Sequence, residues 1–544
     1  MTSKNNLIKA LFLICMGFFV SCGDFLTEVN PNTITTDQFW KTESDFTKGL
    51  MATYNVLQMS NILGVTGATS GHAAGETTMV DPWNSTRIEL NEFRFTDVNG
   101  YVSGKWTDLY RGIFRANQVL DNLAESTLPA SVKTGIEAET RFLRGLYYFW
   151  LAITYNKGSV IIHTTLPKNQ EDYSKPLSTR EEVYALILDD WKFAQANLPR
   201  TWNSANLGRA TWGAVTAFLG QLYLYEKRYE EAKKEFKSII DSGLYRLTPD
   251  FNWNFDEAHE HNSESIFEVN FSVGVKPGLT VSNANYSFTE RAGNVAPQEA
   301  RGSRIIEPSY YFIVKAKEEP IDPANPINQG QVYSQRALGS MCFKGDGQIF
   351  YQRPSYEFPF IVYQEAHIKK FQNWTMSQEP TTGRSGINER VMRLADVLLM
   401  YAETVLMTTG DVNEAIGYIN QVRERAGVLK LKATDYDKNK LMTHLMRVER
   451  FMELAFEGHM IRWQDLRRWG IVKEIYDEIS QIRFCRQEYS TLIGVRVATA
   501  EDLATPGAVI VRQFENAVKY YTPAMDFYPI PNSEKLNNHW FTDK

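Results

Sequence analysis

The side chains of this sequence that could carry chemistry are few and scattered. Four cysteines are present, at Cys15, Cys22, Cys342 and Cys485. Cys15 sits inside an apolar run, so no disulfide framework is available; a Cys342–Cys485 bridge is the remaining pairing, and no spacing supports it. His259-Glu-His261 offers two imidazoles, but a metal site needs further ligands and a supporting shell of hydrogen bonds, and a lone pair in a polar loop is expected to be solvated. Asp435, Asp437 and Asn439 begin like a calcium loop and then lack its central glycine and its closing glutamate. The nearest thing to a nucleophile elbow, Gly67-Ala-Thr-Ser-Gly71, has threonine at its centre. No phosphate-binding glycine loop, dinucleotide fingerprint, HExxH or paired CxxC occurs. Carboxylates abound, but sequence does not say which of them face each other. No enzyme activity, metal or cofactor is therefore expected.

One cysteine stands in a distinctive place. Lys4 and Lys9 precede Ala10–Val20, an apolar run of 11 residues, whereas a helix crossing a bilayer needs roughly 20. A basic start, a short apolar core and the small Ser21 read as a secretory signal over residues 1–21. In Phe18-Phe-Val-Ser-Cys-Gly-Asp-Phe-Leu26 the cysteine follows directly. The arrangement resembles a bacterial lipobox, in which the cysteine sulfur takes a diacylglycerol and becomes the first residue after cleavage; Phe19 stands where leucine is commonest. The alternative is an ordinary signal peptide with an incidental cysteine. No later segment is apolar for about 18 residues, so any membrane attachment would be by lipid.

The elements that would position functional groups are mostly helical. The chain has 544 residues, 43% hydrophobic and 22% charged, in the range of a soluble globular protein of two or three packed units or one extended helical array. The net charge of −6 gives no basic face to neutralise phosphates, so nucleic acid is not an expected partner. In Trp106–Leu123 an apolar stripe recurs near the helical period, and Ala138–Tyr155 reads as a longer, central helix. Ser178-Thr-Arg-Glu181 reads as a capping box for a helix running to Leu198. Gly208–Lys227 and Tyr229–Gly243 read as a helix pair. There Leu219, Gly220, Tyr223, Tyr229, Ala232 and Phe236 fall at tetratricopeptide offsets, with Thr216 and Leu244 as departures. Arg390–Thr408 with Val412–Ala426 is a looser pair, and helical order continues through Met446–Trp469. Ile266–Phe271 alternates like a short strand, while Asn283–Arg304 and Pro320–Tyr333 read as loops. The expected divisions are residues 22–250, tetratricopeptide-like; 251–389, loop-rich; and 390–544, helical.

Several blocks follow one another in a fixed order. Cys22-Gly-Asp-Phe-Leu26 is followed by Trp106-Thr-Asp-Leu-Tyr-Arg-Gly-Ile-Phe-Arg-Ala-Asn117, Glu139-Thr-Arg-Phe-Leu-Arg-Gly-Leu-Tyr-Tyr-Phe149, Gly208-Arg-Ala-Thr-Trp212 and Glu264-Ser-Ile-Phe-Glu-Val269. Then come Arg393-Leu-Ala-Asp-Val-Leu-Leu-Met-Tyr-Ala-Glu403, Asn420-Gln-Val-Arg-Glu-Arg-Ala-Gly427, Glu449-Arg450, Glu453-Leu-Ala-Phe-Glu-Gly458, Asp465-Leu-Arg-Arg-Trp-Gly470 and Tyr528-Pro-Ile-Pro531. In this order the blocks resemble the SusD/RagB family of surface lipoproteins, from Cys22 to near the C-terminus. His459-Met460 departs from it, an arginine being common there. Most of the charged block residues, among them Arg141, Arg144, Asp396, Glu403, Arg423 and Arg425, are expected in buried or half-buried ion pairs that fix helix register. Trp463 and Trp469 are expected as core anchors.

The resemblance implies a mostly α, SusD-like fold of tetratricopeptide-like helix pairs with long loops and a few short strands. It also implies a lipid-anchored protein of the outer membrane, facing the cell exterior, that captures oligomeric nutrient and passes it to a SusC-like TonB-dependent barrel. The implied ligand is a glycan, with a peptide as the alternative. A sugar's C–H face packs on an aromatic ring while its hydroxyls bond amides, carboxylates and guanidinium groups, which favours loops with exposed aromatics. Two loop regions qualify: His72–Tyr101, with Trp83, Asn84, Arg87 and Tyr101, and Asn283–Tyr311, with Tyr286 and Tyr310. Trp374 is a third candidate. Trp83 is the strongest, since the family often places a stacking tryptophan in this insertion and Pro82 and Asn84 suggest a turn that would expose it. A lipid-anchored glycoside hydrolase and a tetratricopeptide scaffold without a nutrient ligand are the remaining alternatives.

Overall fold

The computed structural model describes residues 39–64, 75–81, 83–273, 288–344, 346–355, 366–486 and 494–542; Cys22, the signal segment, Gly67–Gly71 and Tyr286 lie outside them. Its helices, in chain order, include α1 (Glu43–Tyr54), α2 (Ser85–Asn91), α3 (Gly100–Glu125), α4 (Ala130–Ala152), α5 (Arg180–Asn197), α6 (Trp212–Tyr225) and α7 (Tyr229–Asp241). After the middle of the chain come α8 (Tyr310–Glu318), α9 (Leu394–Met407), α10 (Val412–Arg425), α11 (Ile461–Trp469) and α12 (Val472–Gln481). Short strands complete it: β1 (Thr78–Val80), β2 (Ser265–Val269), β3 (Ile306–Pro308), β4 (Met341–Phe343), β5 (Ala366–Ile368), β6 (Glu389–Arg393) and β7 (Phe484–Arg486). The architecture is mostly α, as the sequence predicts.

The helices stack in sequence order. α3 packs on α4, α4 on α5, α5 on α6, α6 on α7, α7 on α9 and α9 on α10. A small residue set against a ring recurs at these interfaces. A Cβ on Gly112 would lie 2.5 Å from the Tyr147 ring, one on Gly145 2.5 Å from Trp191, and one on Gly220 2.5 Å from Phe236. All three are overlaps, so glycine lets each pair of axes approach while the aromatic fills the space beside it. Gly220, Ala232 and Phe236 are thus used as the tetratricopeptide offsets imply, and Leu219, Tyr223, Ala232 and Phe236 are buried.

Four expectations need correction. The capping box belongs to Thr179 and Glu182, not Ser178 and Glu181: Thr179 Oγ1 accepts from the Glu182 amide at 3.2 Å and Glu182 accepts from the Thr179 amide at 2.8 Å. Ser178 is committed to the preceding extended segment, its amide donating to the Val160 carbonyl and its carbonyl accepting from Ser159. Residues 389–393 are strand rather than helix, because they pair antiparallel with β2 and bury all five side chains; α9 starts only at Leu394. Met446–Trp469 is broken by a turn in which Phe456, Gly458 and Met460 have positive φ. Tyr310 opens α8 instead of lying in a loop, because Ser309 Oγ caps the helix by accepting from the Phe312 amide at 3.1 Å. Cys342 and Cys485 are both free and buried.

The breaks serve a network of buried charge. Arg393, at the end of β6, donates to Glu264 at 2.7 Å, to Glu453 at 2.7 Å and to both oxygens of Glu457 at 2.6 and 2.7 Å. Arg425, at the end of α10, donates to Glu264 at 2.6 Å and also to Glu453. Lys370 reaches Glu457 at 2.6 Å. A second group joins Arg450 to Asp396 and Asp465, each at 2.6 Å, and Arg468 to Asp465 at 2.8 Å and to Glu403. The other expected ion pairs are present: Arg141 and Arg144 both meet Asp190 at 2.8 Å, and Arg423 meets Glu449. Trp463 is buried, and Trp469 donates its indole N–H to Glu403 at 3.0 Å. His259 stacks on Trp253 at 4.3 Å with Nδ1 2.9 Å from Asp256, and no group of three or more His, Cys, Asp or Glu side chains placed to hold a metal occurs among the described residues. Asp437 caps a helix, accepting from the Lys440 amide at 2.8 Å.

A buried network destabilises sharply when one partner is removed, because the others stay desolvated and unpaired. Arg393→Met is expected to cost about 3–5 kcal/mol in urea denaturation followed by circular dichroism, whereas Arg447→Ala, whose partners Glu474 and Glu478 are exposed, should cost under about 1 kcal/mol. Glu264 is buried, yet Arg425 and Arg393 hold its carboxyl down at about 2 against an ordinary 4.5. Its stabilisation is therefore complete above pH 4.5 and lost as pH falls toward 2, an effect of about 3 kcal/mol from 1.36 kcal/mol per pH unit. Arg393→Met should flatten that acid limb.

Candidate ligand-binding site

The two loop regions singled out in the sequence meet in space. β1 pairs antiparallel with β3, with Thr78 opposite Pro308, Met79 opposite Glu307 and Val80 opposite Ile306. Just past β1, the Asp81 amide donates to the Ile305 carbonyl at 2.9 Å and the Asp81 carboxylate takes an ion pair from Arg304 at 3.2 Å. The other Asp81 oxygen accepts from the Trp83 amide at 2.9 Å, and its carbonyl accepts from the Asn84 amide at 2.9 Å. Asn84 then caps α2, its Oδ1 accepting from the Arg87 amide at 3.2 Å. Asp81 and Asn84 thus hold this turn from both sides. The Trp83 indole at its tip is 93% exposed. A tryptophan normally buries its large apolar area, so leaving one in water on a pinned turn sets a flat ring out for contact.

Arg87 of α2 and Tyr101 of α3 pair with each other next along the chain. Arg87 is buried, with its guanidinium 5.0 Å from the centre of the Tyr101 ring. Desolvation lowers the Arg87 pKa and raises that of Tyr101. The Tyr101 amide donates to Asn99 Oδ1 at 3.0 Å, and Asn99 Nδ2 donates to Glu89 at 2.7 Å and to the Thr86 carbonyl at 3.2 Å. This clamps α2 onto the start of α3. Arg87 is thus a fixing residue where the sequence suggested a ligand contact, and Asn84 spends its side-chain oxygen on the helix cap.

The remaining candidates do not join Trp83 at the surface. Tyr310 is buried, with its ring edge on Phe484 at 5.9 Å and its amide donating to Gln513 at 2.7 Å. Its neighbours in sequence are the apolar face of α8, so it anchors that helix. Trp374 is half-buried against Ala296, Ala300, Cys342, Phe350 and Tyr351, with Lys369 Nζ 3.9 Å above the ring, and its carbonyl takes the Tyr351 amide at 2.8 Å. Burial there brings the Lys369 ammonium down to about 8. Tyr286 falls outside the described residues. Sequence reasoning also passed over four exposed rings among the described residues, Phe114 at 38%, Tyr173 at 53%, Tyr520 and Trp540. Phe114 sits at the edge of the α3 apolar stripe, the one sequence signal that set it apart.

Residues 362–541 match the family described as "SusD family", and residues 24–224 match the one described as "Starch-binding associating with outer membrane". The chain is similar to SusD-like protein P25 of Formosa agariphila, 26% identical over 509 residues, covering 87% of this chain and 91% of that protein. It is also similar to the crystal structure of a SusD superfamily protein from Bacteroides vulgatus, with a TM-score of 0.76, 26% identity, and coverage of 92% and 98% of the two chains. Surface glycan-binding protein A from Bacteroides thetaiotaomicron, solved in complex with laminarihexaose, shares the fold at a TM-score of 0.66 and 20% identity, over 90% of this chain and 97% of that one. The stacked helices, the ordered charged blocks and these matches agree, and the chain belongs to the SusD family.

Proposed function

We propose that this protein captures oligosaccharide at the outer-membrane surface and hands it to a SusC-like TonB-dependent barrel, held to the membrane by lipid on Cys22. The observation that carries the ligand assignment is the exposed indole of Trp83 on a turn fixed by Asp81, Arg304 and Asn84. A preordered aromatic face suits the apolar C–H face of a sugar ring, because nothing must be ordered at binding except the ligand. The match to a family described by starch binding and outer-membrane association, and the laminarihexaose complex of a protein with this fold, support the same assignment. Binding occurs without turnover. The lipobox-like run ending at Cys22 supports the anchor, and the family supports the barrel partner.

Calorimetry with neutral hexasaccharides and with peptide mixtures tests the ligand class. Binding of at least one hexasaccharide is expected, with its affinity falling at least about tenfold in Trp83→Ala, about 1.4 kcal/mol. Binding of peptides alone would make the protein a peptide-capturing family member, and cleavage of a labelled oligosaccharide would make it a hydrolase. Trp83→Ala should also remove the component of tryptophan fluorescence most accessible to acrylamide while shifting stability by less than about 0.5 kcal/mol, since its side chain packs on little. Palmitate labelling should be lost in Cys22→Ala, and a pull-down from purified outer membrane should recover a TonB-dependent barrel. Unchanged labelling would refute the anchor, and repeated absence of the barrel would refute the transport role.

A further inference from the structure

A cavity of about 700 Å³ lies between α7, α9 and α10, but the one with the more distinctive chemistry is a half-open cavity of about 460 Å³ against α3. Its lining includes Thr107, Tyr110, Phe114, His163, Gln170, Tyr173 and Asn537. None of these residues belongs to the Trp83 turn.

The floor is preformed. The Tyr110 hydroxyl donates to the Ile161 carbonyl at 2.8 Å and accepts from the Ile161 amide at 2.9 Å. The Tyr148 hydroxyl does the same with His163, at 2.8 and 2.7 Å, and Asn117 donates to the His163 carbonyl at 2.8 Å. The extended segment beneath the cavity is therefore tied to α3 and α4 by side chains whose hydrogen bonds are spent. The charged groups at the wall are held in place. Arg111 pairs with Asp108 at 2.7 Å, and Glu534 accepts from the Trp106 indole at 3.3 Å and from Asn538 at 3.0 Å. Burial holds His163 down at about 4, so at neutral pH it brings no charge. At the mouth Phe114 and Tyr173 expose their rings, with the exposed side chains of Thr107, Gln170 and Asn537 beside them; Thr107 Oγ1 donates to the Ser103 carbonyl at 3.0 Å and Asn537 Nδ2 to the Ser533 carbonyl at 2.8 Å, so these two side chains present oxygens that can accept.

A site with two exposed rings, exposed hydroxyl and amide groups, and the Glu534 carboxylate as its one charge without a cationic partner in the lining selects a ligand with apolar faces and hydroxyl edges and no negative charge. We infer that this cavity is a second sugar-binding subsite, taking a neutral pyranose unit between Phe114 and Tyr173 with its hydroxyls on Thr107, Gln170 and Asn537. This rests on the proposal that the protein binds glycan, and extends it to a surface that shares no residue with the Trp83 turn. Two separate subsites would let one chain hold a long polymer at two points, raising its avidity through effective concentration.

The test is calorimetry of the full mature chain with a fixed panel of laminari-, malto-, cello-, manno- and xylohexaose, in four forms: wild type, Trp83→Ala, Phe114→Ala/Tyr173→Ala, and all three substitutions together. Circular dichroism checks that each is folded; both rings are exposed, so folding should be unaffected. The expected result is residual binding in Trp83→Ala that falls a further fivefold or so in the triple variant. Binding lost wholly in Trp83→Ala, with Phe114→Ala/Tyr173→Ala binding like wild type, would overturn the second subsite and leave glycan capture standing. No binding of any probe to the wild type would overturn both.

Discussion

Arg393 is the charge around which the chain is organised. Its guanidinium is shared by Glu264, Glu453 and Glu457, and Arg425 closes the group by reaching Glu264 and Glu453. These residues come from the entry to β2, the end of β6, the end of α10 and the turn before α11. Buried charges tolerate no vacancy, so all four segments must arrive together. Such a network adds little net stability over an apolar core of the same volume. What it supplies is a single permitted arrangement. Beside it, Glu389 of β6 pairs with Arg291, which also donates to the Phe456 carbonyl in the same turn. The segment starting at Arg291 runs on to Arg304 and β3, which hold Asp81 and so the turn bearing Trp83. The Trp83 turn is thereby coupled to the most deeply fixed part of the molecule.

That coupling accounts for how a loop-borne tryptophan stays in water. Burying an indole is worth a few kcal/mol, and a free loop would fold it inward. Here Asp81 takes the Trp83 amide, the Arg304 guanidinium and a strand-like contact to Ile305, while Asn84 starts α2 immediately after. Next along the chain, Arg87 of α2 and the Tyr101 ring of α3 pair at 5.0 Å and join the two helices. The helix stack contributes rigidity at a distance, through interfaces in which glycine meets an aromatic ring.

Much of this was legible in the sequence where the deciding forces are local. The pair α6 and α7 could be read because Gly220, Ala232 and Phe236 must fall at fixed helical offsets for two helices to touch. The arginine and aspartate blocks could be read as ion pairs because charges of that density on apolar helices have no other use. Residues 390–393 were misread as helix because their strand partner, β2, lies more than a hundred residues upstream, and periodicity reports nothing about a distant partner. Tyr310 and Trp374 looked like exposed loop aromatics for the same reason: what buries them is contributed by Phe484 and by Phe350 and Tyr351, and none of those contacts is written in the local pattern. Trp83 was readable because its exposure is set locally, by turn and cap residues on either side of it.

Hydrogen–deuterium exchange of the full mature chain, with and without a saturating hexasaccharide that it binds, addresses the site most directly. Ligand should slow exchange most strongly in peptides spanning Thr78–Asn91, the pinned turn and α2, while the helices around Arg393 exchange slowly in both states. Unchanged exchange across Thr78–Asn91, with protection appearing instead along α6 and α7, would contradict the account and place the ligand on the helical scaffold.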